Sequence, residues 1–335
     1  MAANRKNRVA VLGAGAWGTA LANLAARRSA SEVLLLARDP AHVAEMRATG
    51  INARRLPGIP LLSNVVPAAE PEKARGAELF LAAAPAQAMR GALETIAPYL
   101  AEGVPIVICA KGIERATGLF LSEVVRALLP RNPPAVLSGP SFAKDVAEGL
   151  PTAVTIAAAD AGFAANLAAN LATPAFRLYA SSDIRGVEIG GAAKNVLAIA
   201  SGIAAGHGLG ASAGAALIAR GFAELSRFGR AYGAEPATLM GLSGLGDLVL
   251  TCTSALSRNY SFGLALGRGL AREEAMARAG LCEGIYTCGV LLDLARAKDV
   301  EMPVASAVDA VLSEEMTIAE VISALLARPL KMEHA

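Results

Sequence analysis

Arg8-Val9-Ala10-Val11-Leu12-Gly13-Ala14-Gly15-Ala16-Trp17-Gly18 runs from a short apolar stretch into a glycine pattern, then into a helical pattern reaching about Arg28. The apolar run has no polar alternation and stops at glycine, as a strand buried on both faces of a parallel sheet does. The glycines follow G-x-G-x-x-G. Gly13 suits a tight turn, Gly15 the close approach of a pyrophosphate, and Gly18 the packing of helix on strand. Around Ala16 and Trp17 the unpaired N–H groups of the helix start would face the phosphates. Alone the motif is weak. A strand ahead of it and the apolar run Val33–Ala37 behind it make a ligand-free glycine turn the lesser reading. The stretch therefore predicts a doubly wound α/β fold that binds a dinucleotide.

Working outward, the second strand ends in Ala37-Arg38-Asp39. An acid at this place usually holds the ribose hydroxyls, whereas an arginine suits the 2′-phosphate of NADP. A solvated Arg38–Asp39 turn is the competing reading. Residues Ala41 to Pro71 read as irregular, with Pro57, Gly58, Pro60 and Pro67 as turn markers. Strands at Glu78–Ala84, Pro105–Ala110, Ala135–Leu137, Thr152–Ala157 and Phe176–Ala180 then alternate with helices at about 87–100, 117–129 and 161–171. Lys111-Gly112 and the loop Ser138–Lys144 each follow a strand. Ligands of such sheets lie outside the carboxyl ends of the strands, so both segments face the crevice.

From Asp183 the strands stop and long apolar helical patterns take over. The predicted architecture is a mostly parallel Rossmann-type sheet over residues 1–182 and an all-helical, substrate-binding domain over 183–335. At the junction Gly190-Gly191-Ala192-Ala193-Lys194-Asn195-Val196-Leu197 is apolar on every face but for one lysine and one asparagine. Burial disfavours an ammonium and brings its pKa toward neutrality, where it can exchange a proton. A lysine whose stem snorkels to solvent is the other reading of Lys194. Asp247, set among glycines and aliphatics, needs a cation or several N–H donors, and Lys194 is the candidate; a helix N-cap is the alternative. Ser257-Arg258-Asn259 precedes a helical pattern and offers a hydroxyl, a guanidinium and an amide to a phosphate, or else forms a capped surface turn.

Composition sets the limits. Lys+Arg 31 against Asp+Glu 29 leaves +2, which argues against nucleic acid or a membrane surface as partner. Four cysteines without C-x-x-C spacing and three histidines offer no metal site. The basic start, Met1 to Arg8, resembles a secretory leader, but the apolar run behind it carries the glycine motif, so a cytoplasmic protein with reduced thiols is expected.

In chain order G-A-G-A-W-G at Gly13, A-K-G at Ala110, S-G-P-S-F-A at Ser138, G-G-A-A-K-N at Gly190, G-L-G-D-L-V-L-T at Gly244, S-R-N at Ser257 and E-G at Glu283 resemble the bacterial-type NAD(P)-dependent glycerol-3-phosphate dehydrogenases. The resemblance spans nearly the whole chain. It implies hydride transfer between NAD(P)H and dihydroxyacetone phosphate, giving sn-glycerol 3-phosphate for phospholipid synthesis. It implies Lys194 as the proton donor and acceptor. Lys111, Gly139, Ser141, Asp247, Ser257, Arg258 and Asn259 would bind substrate. Gly13, Gly15, Ala16, Trp17, Gly18, Arg38, Lys111, Ala143, Arg258, Leu281 and Glu283 would bind cofactor. Ala16 replaces a frequent serine, Ala84-Pro85-Ala86 a more usual V-P-S, and the segment 280–283 is one residue shorter than in some relatives, which bears on Leu281. Arg38 makes NADPH the expected preference. Two rivals are a 3-hydroxy-acid dehydrogenase, which would lack the S-R-N loop, and a non-catalytic cofactor sensor, which would have no use for Lys111, Lys194 and Asp247 together. A homodimer is left open.

Overall fold

The computed structural model describes residues 8–28 and 31–329. Residues 1–7, which carry most of the basic start, and His334 lie outside the described residues. Strands β1 (Val9–Leu12), β2 (Val33–Leu36), β3 (Val65–Ala68), β4 (Leu79–Ala82), β5 (Ile106–Ile108), β6 (Pro134–Ser138), β7 (Thr152–Ala158) and β8 (Phe176–Ser181) form one sheet. Its order is β3-β2-β1-β4-β5-β6-β7-β8, and only the β6–β7 pair is antiparallel. Helices α1 (Ala16–Arg28), α2 (Pro40–Thr49), α3 (Met89–Ile96), α4 (Leu121–Leu128), α5 (Ala143–Glu148) and α6 (Ala161–Leu171) accompany it. The rest is helical: α7 (Ile184–Gly206), α8 (Gly210–Ala231), α9 (Pro236–Met240), α10 (Asp247–Cys252), α11 (Arg258–Gly267), α12 (Arg272–Ala279), α13 (Glu283–Arg296), α14 (Pro303–Leu312) and α15 (Ile318–Leu326).

Side chains alternate across a strand. In β1, Val9 and Val11 enter one core with Leu21, Val146 and Ala164, while Ala10 and Leu12 enter the other with Met89, Leu93 and Val124. All four are buried, hence the unbroken apolar run. The order reverses between β1 and β4, which opens the crevice at their carboxyl ends. Helix α7 joins the two halves. Ile184 and Val187 pack into the sheet's core and Ile189 to Ile203 into the helical core. It is long and apolar enough to cross a membrane, but 83% of its most apolar window is buried inside the protein.

Three segments depart from expectation. Residues 41–71 are not irregular throughout, since they contain most of α2 and all of β3. Asp39 caps α2 by accepting from the Ala41 N–H, Pro40 opens the helix and Gly50 ends it at φ 68°, the standard start and stop signals. Strand β3 tolerates Pro67 because it is an edge strand, pairing only with β2. The loop after β6 turns into α5, which starts at Ala143. The helix expected at 87–100 is α only over Met89–Ile96, flanked by 3₁₀ turns, the second containing Pro98.

Candidate active site

The glycine loop has the geometry its motif predicts. Gly13 takes φ +107°, and a Cβ there would strike the backbone of Ala83 and Ala84. A Cβ on Gly18 would collide with the Gly13 carbonyl, so helix start and strand end touch. A Cβ on Gly15 would meet nothing within 4 Å, which leaves this side open to a ligand. Ala16 and Trp17 begin α1, and the Trp17 indole N–H donates to the Cys109 carbonyl at 3.1 Å. Arg38 is exposed at the end of β2. Asp39 is committed elsewhere: besides capping α2 it receives the Arg54 guanidinium at 2.9 Å, and Arg54 also pairs with Glu45 at 2.6 Å.

Lys194 lies well inside α7 and is only 5% exposed, which removes the snorkelling reading. Gly190 and Gly191 make room for neighbouring backbone and side chains. A Cβ on Gly190 would strike the Ser243 carbonyl, and one on Gly191 would sit 2.8 Å from Ser138 Oγ and 3.3 Å from Lys111 Cγ. This close packing delivers Lys194 to Asp247. Its Nζ donates to Asp247 Oδ1 at 2.5 Å and to Thr251 Oγ1 at 2.8 Å. Lys111 Nζ, arriving from the end of β5, donates to Asp247 Oδ2 at 2.7 Å and to the Gly139 carbonyl at 3.0 Å. One buried carboxylate thus bridges two ammonium groups, and the trio carries a net positive charge toward an anionic ligand. Asp247 is not an N-cap. Gly246 takes that position, after a π-helical turn over Leu242–Gly246 that the sequence reading did not foresee. Burial lowers the Lys194 pKa to about 8, with Asp247 opposing the shift and Lys111 adding to it. The two lysines hold Asp247 below the usual carboxylate range although burial pushes it up.

Gly139 adopts φ +146° and its carbonyl also accepts from Ser141 Oγ at 3.0 Å. Ala143 is the first residue of α5. Ser257 caps α11, accepting from the Tyr260 N–H at 3.2 Å, and it is buried, so the capped surface turn is half right. Arg258 is exposed and free to reach outward. Asn259 is buried and mostly spent on the fold: it donates to Asn195 Oδ1 and accepts from the Gly284 N–H, both at 3.0 Å. Leu281 is an exposed apolar side chain just ahead of α13. Glu283 opens α13 and accepts from the Ala86 N–H at 3.0 Å. Its Oε2 and Thr287 Oγ1 are buried without partners beside Gly112. Two orphaned polar atoms beside Gly112, just past the carboxyl end of β5, fit a polar ligand on that side of the sheet. Sequence alone assigns no role to Thr251, Asn195, Thr287 or Arg54. Only Thr251 carried a usable signal, standing one helical turn after Asp247.

Two family models cover most of the chain: NAD-dependent glycerol-3-phosphate dehydrogenase N-terminus over residues 8–164 and C-terminus over residues 183–323. The chain is 64% identical over 331 residues to a glycerol-3-phosphate dehydrogenase (NAD(P)+) of Beijerinckia indica subsp. indica, covering 99% of each chain. It is 58% identical over 327 residues to the enzyme of that name from Azorhizobium caulinodans, covering 98% of each. A crystal structure of glycerol-3-phosphate dehydrogenase from Coxiella burnetii matches with a TM-score of 0.92 at 40% identity, covering 96% of this chain and 99% of that one.

Proposed function

The chain belongs to the NAD-dependent glycerol-3-phosphate dehydrogenase family, and from that premise we propose how its residues carry the reaction. The protein is an NAD(P)-dependent oxidoreductase that interconverts sn-glycerol 3-phosphate and dihydroxyacetone phosphate, in the role of glycerol phosphate supply for phospholipids. A nicotinamide held beside the glycine loop would supply the hydride for the carbonyl carbon in reduction. Lys194 Nζ gives its proton to the carbonyl oxygen as negative charge develops there, and takes it back in oxidation. Lys111 adds a second positive charge beside that oxygen. Asp247 fixes both lysines, and Thr251 fixes the direction of Lys194. Arg258, projecting from the capped start of α11, holds the substrate phosphate, with Ser257 and Asn259 shaping the turn that presents it. Gly139 and Ser141 line the substrate side. Gly13, Gly15, Ala16, Trp17 and Gly18 hold the pyrophosphate, and Arg38, Ala143, Leu281 and Glu283 complete the cofactor site.

The observation that carries this reading is the buried Lys194–Asp247–Lys111 cluster beyond the carboxyl end of β5. Its test is steady-state turnover of dihydroxyacetone phosphate with NADPH, in wild type and Lys194→Ala. Wild type should turn over, and the variant should bind cofactor but lose activity. Activity within tenfold of wild type would remove the proton-transfer role. NADPH is the preferred cofactor in this proposal, because Asp39 is engaged by the α2 N–H groups and by Arg54, which leaves Arg38 to meet a 2′-phosphate. The cofactor domain is then 1–182 and the substrate domain 183–335. The enzyme is cytoplasmic in this reading, and sedimentation decides whether it assembles as a homodimer.

A further inference from the structure

Behind the glycine loop lies a hydrogen-bond network centred on Asn52, which is fully buried in the segment between α2 and β3. Asn52 Nδ2 donates to the Ala14 carbonyl at 3.0 Å and to Thr19 Oγ1 at 2.7 Å. A carbonyl can only accept, which fixes the orientation of the amide. Asn52 Oδ1 is then the acceptor 2.8 Å from His42 Nε2, so that ring nitrogen carries a proton. Thr19 Oγ1, having accepted from Asn52, donates to the Gly15 carbonyl at 2.8 Å. The carbonyls of Ala14 and Gly15 are therefore both held from one side.

That constraint has a direction. No peptide bond among the described residues is cis. In a trans peptide the C=O and the N–H of the next residue point opposite ways. Pinning the Ala14 and Gly15 carbonyls toward Asn52 and Thr19, the latter carbonyl also by the Thr19 N–H at 2.9 Å, turns the Gly15 and Ala16 N–H groups away from that network, and a Cβ on Gly15 would meet nothing within 4 Å. We propose that Asn52, oriented by His42 and acting through Thr19 and the Ala14 carbonyl, is a positioning residue for the cofactor pyrophosphate. The inference rests on the dinucleotide reading of the loop. It also ties the two ends of the cofactor site together, because His42 sits on α2, whose cap Asp39 adjoins Arg38.

The test is calorimetric titration with NADPH and with ADP-ribose, which keeps the pyrophosphate and lacks nicotinamide. Asn52→Asp retains the shape and the acceptor for His42 but offers no N–H to Ala14. Thr19→Val replaces the hydroxyl by a methyl and leaves Asn52 Nδ2 without that acceptor, and Thr19→Ser restores the hydroxyl. Kd for both ligands should rise about tenfold in Asn52→Asp and about three- to tenfold in Thr19→Val, with Thr19→Ser within about twofold of wild type. The kcat at saturating cofactor and KM for dihydroxyacetone phosphate should stay within about twofold of wild type. Folded variants that bind both ligands as wild type does would overturn the inference, and so would losses shared equally by kcat and substrate KM. If Asn52→Asp fails to fold, the Thr19 pair decides. A wild type that binds neither ligand overturns the dinucleotide reading and this inference together.

Discussion

Lys194 is held between two forces: burial drives its proton off, and Asp247 keeps it on. With a pKa near 8, kcat/KM for reduction should be level below that pH and fall about tenfold per unit above it, since reduction consumes the ammonium. Oxidation of sn-glycerol 3-phosphate needs the amine and should rise with pH to the same point. Profiles of both directions check this, and identical profiles would refute it. Arg258→Ala should raise KM for dihydroxyacetone phosphate on the order of tenfold to a hundredfold, the loss of a charge-assisted hydrogen bond of about 1.5–3 kcal/mol. Unphosphorylated dihydroxyacetone should be a poor substrate for both proteins and hardly notice the change. Equal damage to both substrates would make Arg258 structural. Arg38→Ala should lose kcat/KM with NADPH and keep most of it with NADH, and an equal effect on both would mean that Arg38 faces solvent. Lys194 and Asp247 were legible because each is a lone charge among glycine and aliphatic residues. The share that Lys111 takes of Asp247 was not, since those two residues lie 136 positions apart and meet only through the fold. Nor was Asn52, which in sequence is one polar residue in a stretch of prolines and arginines.

Helices α7 and α11 meet through glycine. A Cβ on Gly263 would strike the Ile199 carbonyl and the Ile203 N–H, and one on Gly202 the Tyr260 carbonyl. The helix carrying Lys194 is thereby laid directly against the helix that Ser257 caps. Gly263→Ala should destabilise by about 1–3 kcal/mol, because overpacking against backbone outweighs the gain in helix propensity. Gly214→Ala, on the exposed half of α8 where a Cβ would meet nothing, should be neutral or stabilise by up to about 1 kcal/mol. Denaturant melts of the pair measure both, and similar effects of the two would contradict the packing argument. Elements were most legible where the apolar period was unbroken, as in β1 and α7. They were least legible between β2 and β4. There the capping residues of α2 were present in sequence, but the helix is weakly amphipathic and buries only His42, Val43 and Met46. The π turn before Asp247 was out of reach of any periodicity, because its residues are held by contacts with α7 and α9.

Across the whole molecule, two carboxylates stitch helices together at a cost in desolvation. Glu188 on α7 accepts from the Ser122 N–H at 2.7 Å and Oγ at 2.9 Å, joining the helical half to α4 of the sheet half. Glu224 on α8 accepts from the N–H groups of Val304 and Ala305 at the start of α14. Burial pushes both from 4.5 to about 7. The folded state then binds more protons than the unfolded state between those values. Their contribution to stability is complete below the unfolded pKa and is lost as pH rises through about 7. Tm should be higher at pH about 5.5 than at about 8, and Glu188→Gln should flatten the slope. A Tm that climbs over this interval would show that the two groups stay ionised in the fold.

Trp17 is the chain's only tryptophan. Its ring starts the helix behind the glycine loop, and its indole N–H is tied to Cys109, two residues before Lys111. Light absorbed by indole and re-emitted by this protein comes from a single ring at the seam between the phosphate loop and the strand that delivers Lys111. A reduced nicotinamide absorbs in the band where indole emits. Docking of the dinucleotide should therefore dim the protein's own fluorescence and light up the ligand's, with no dye or tag attached.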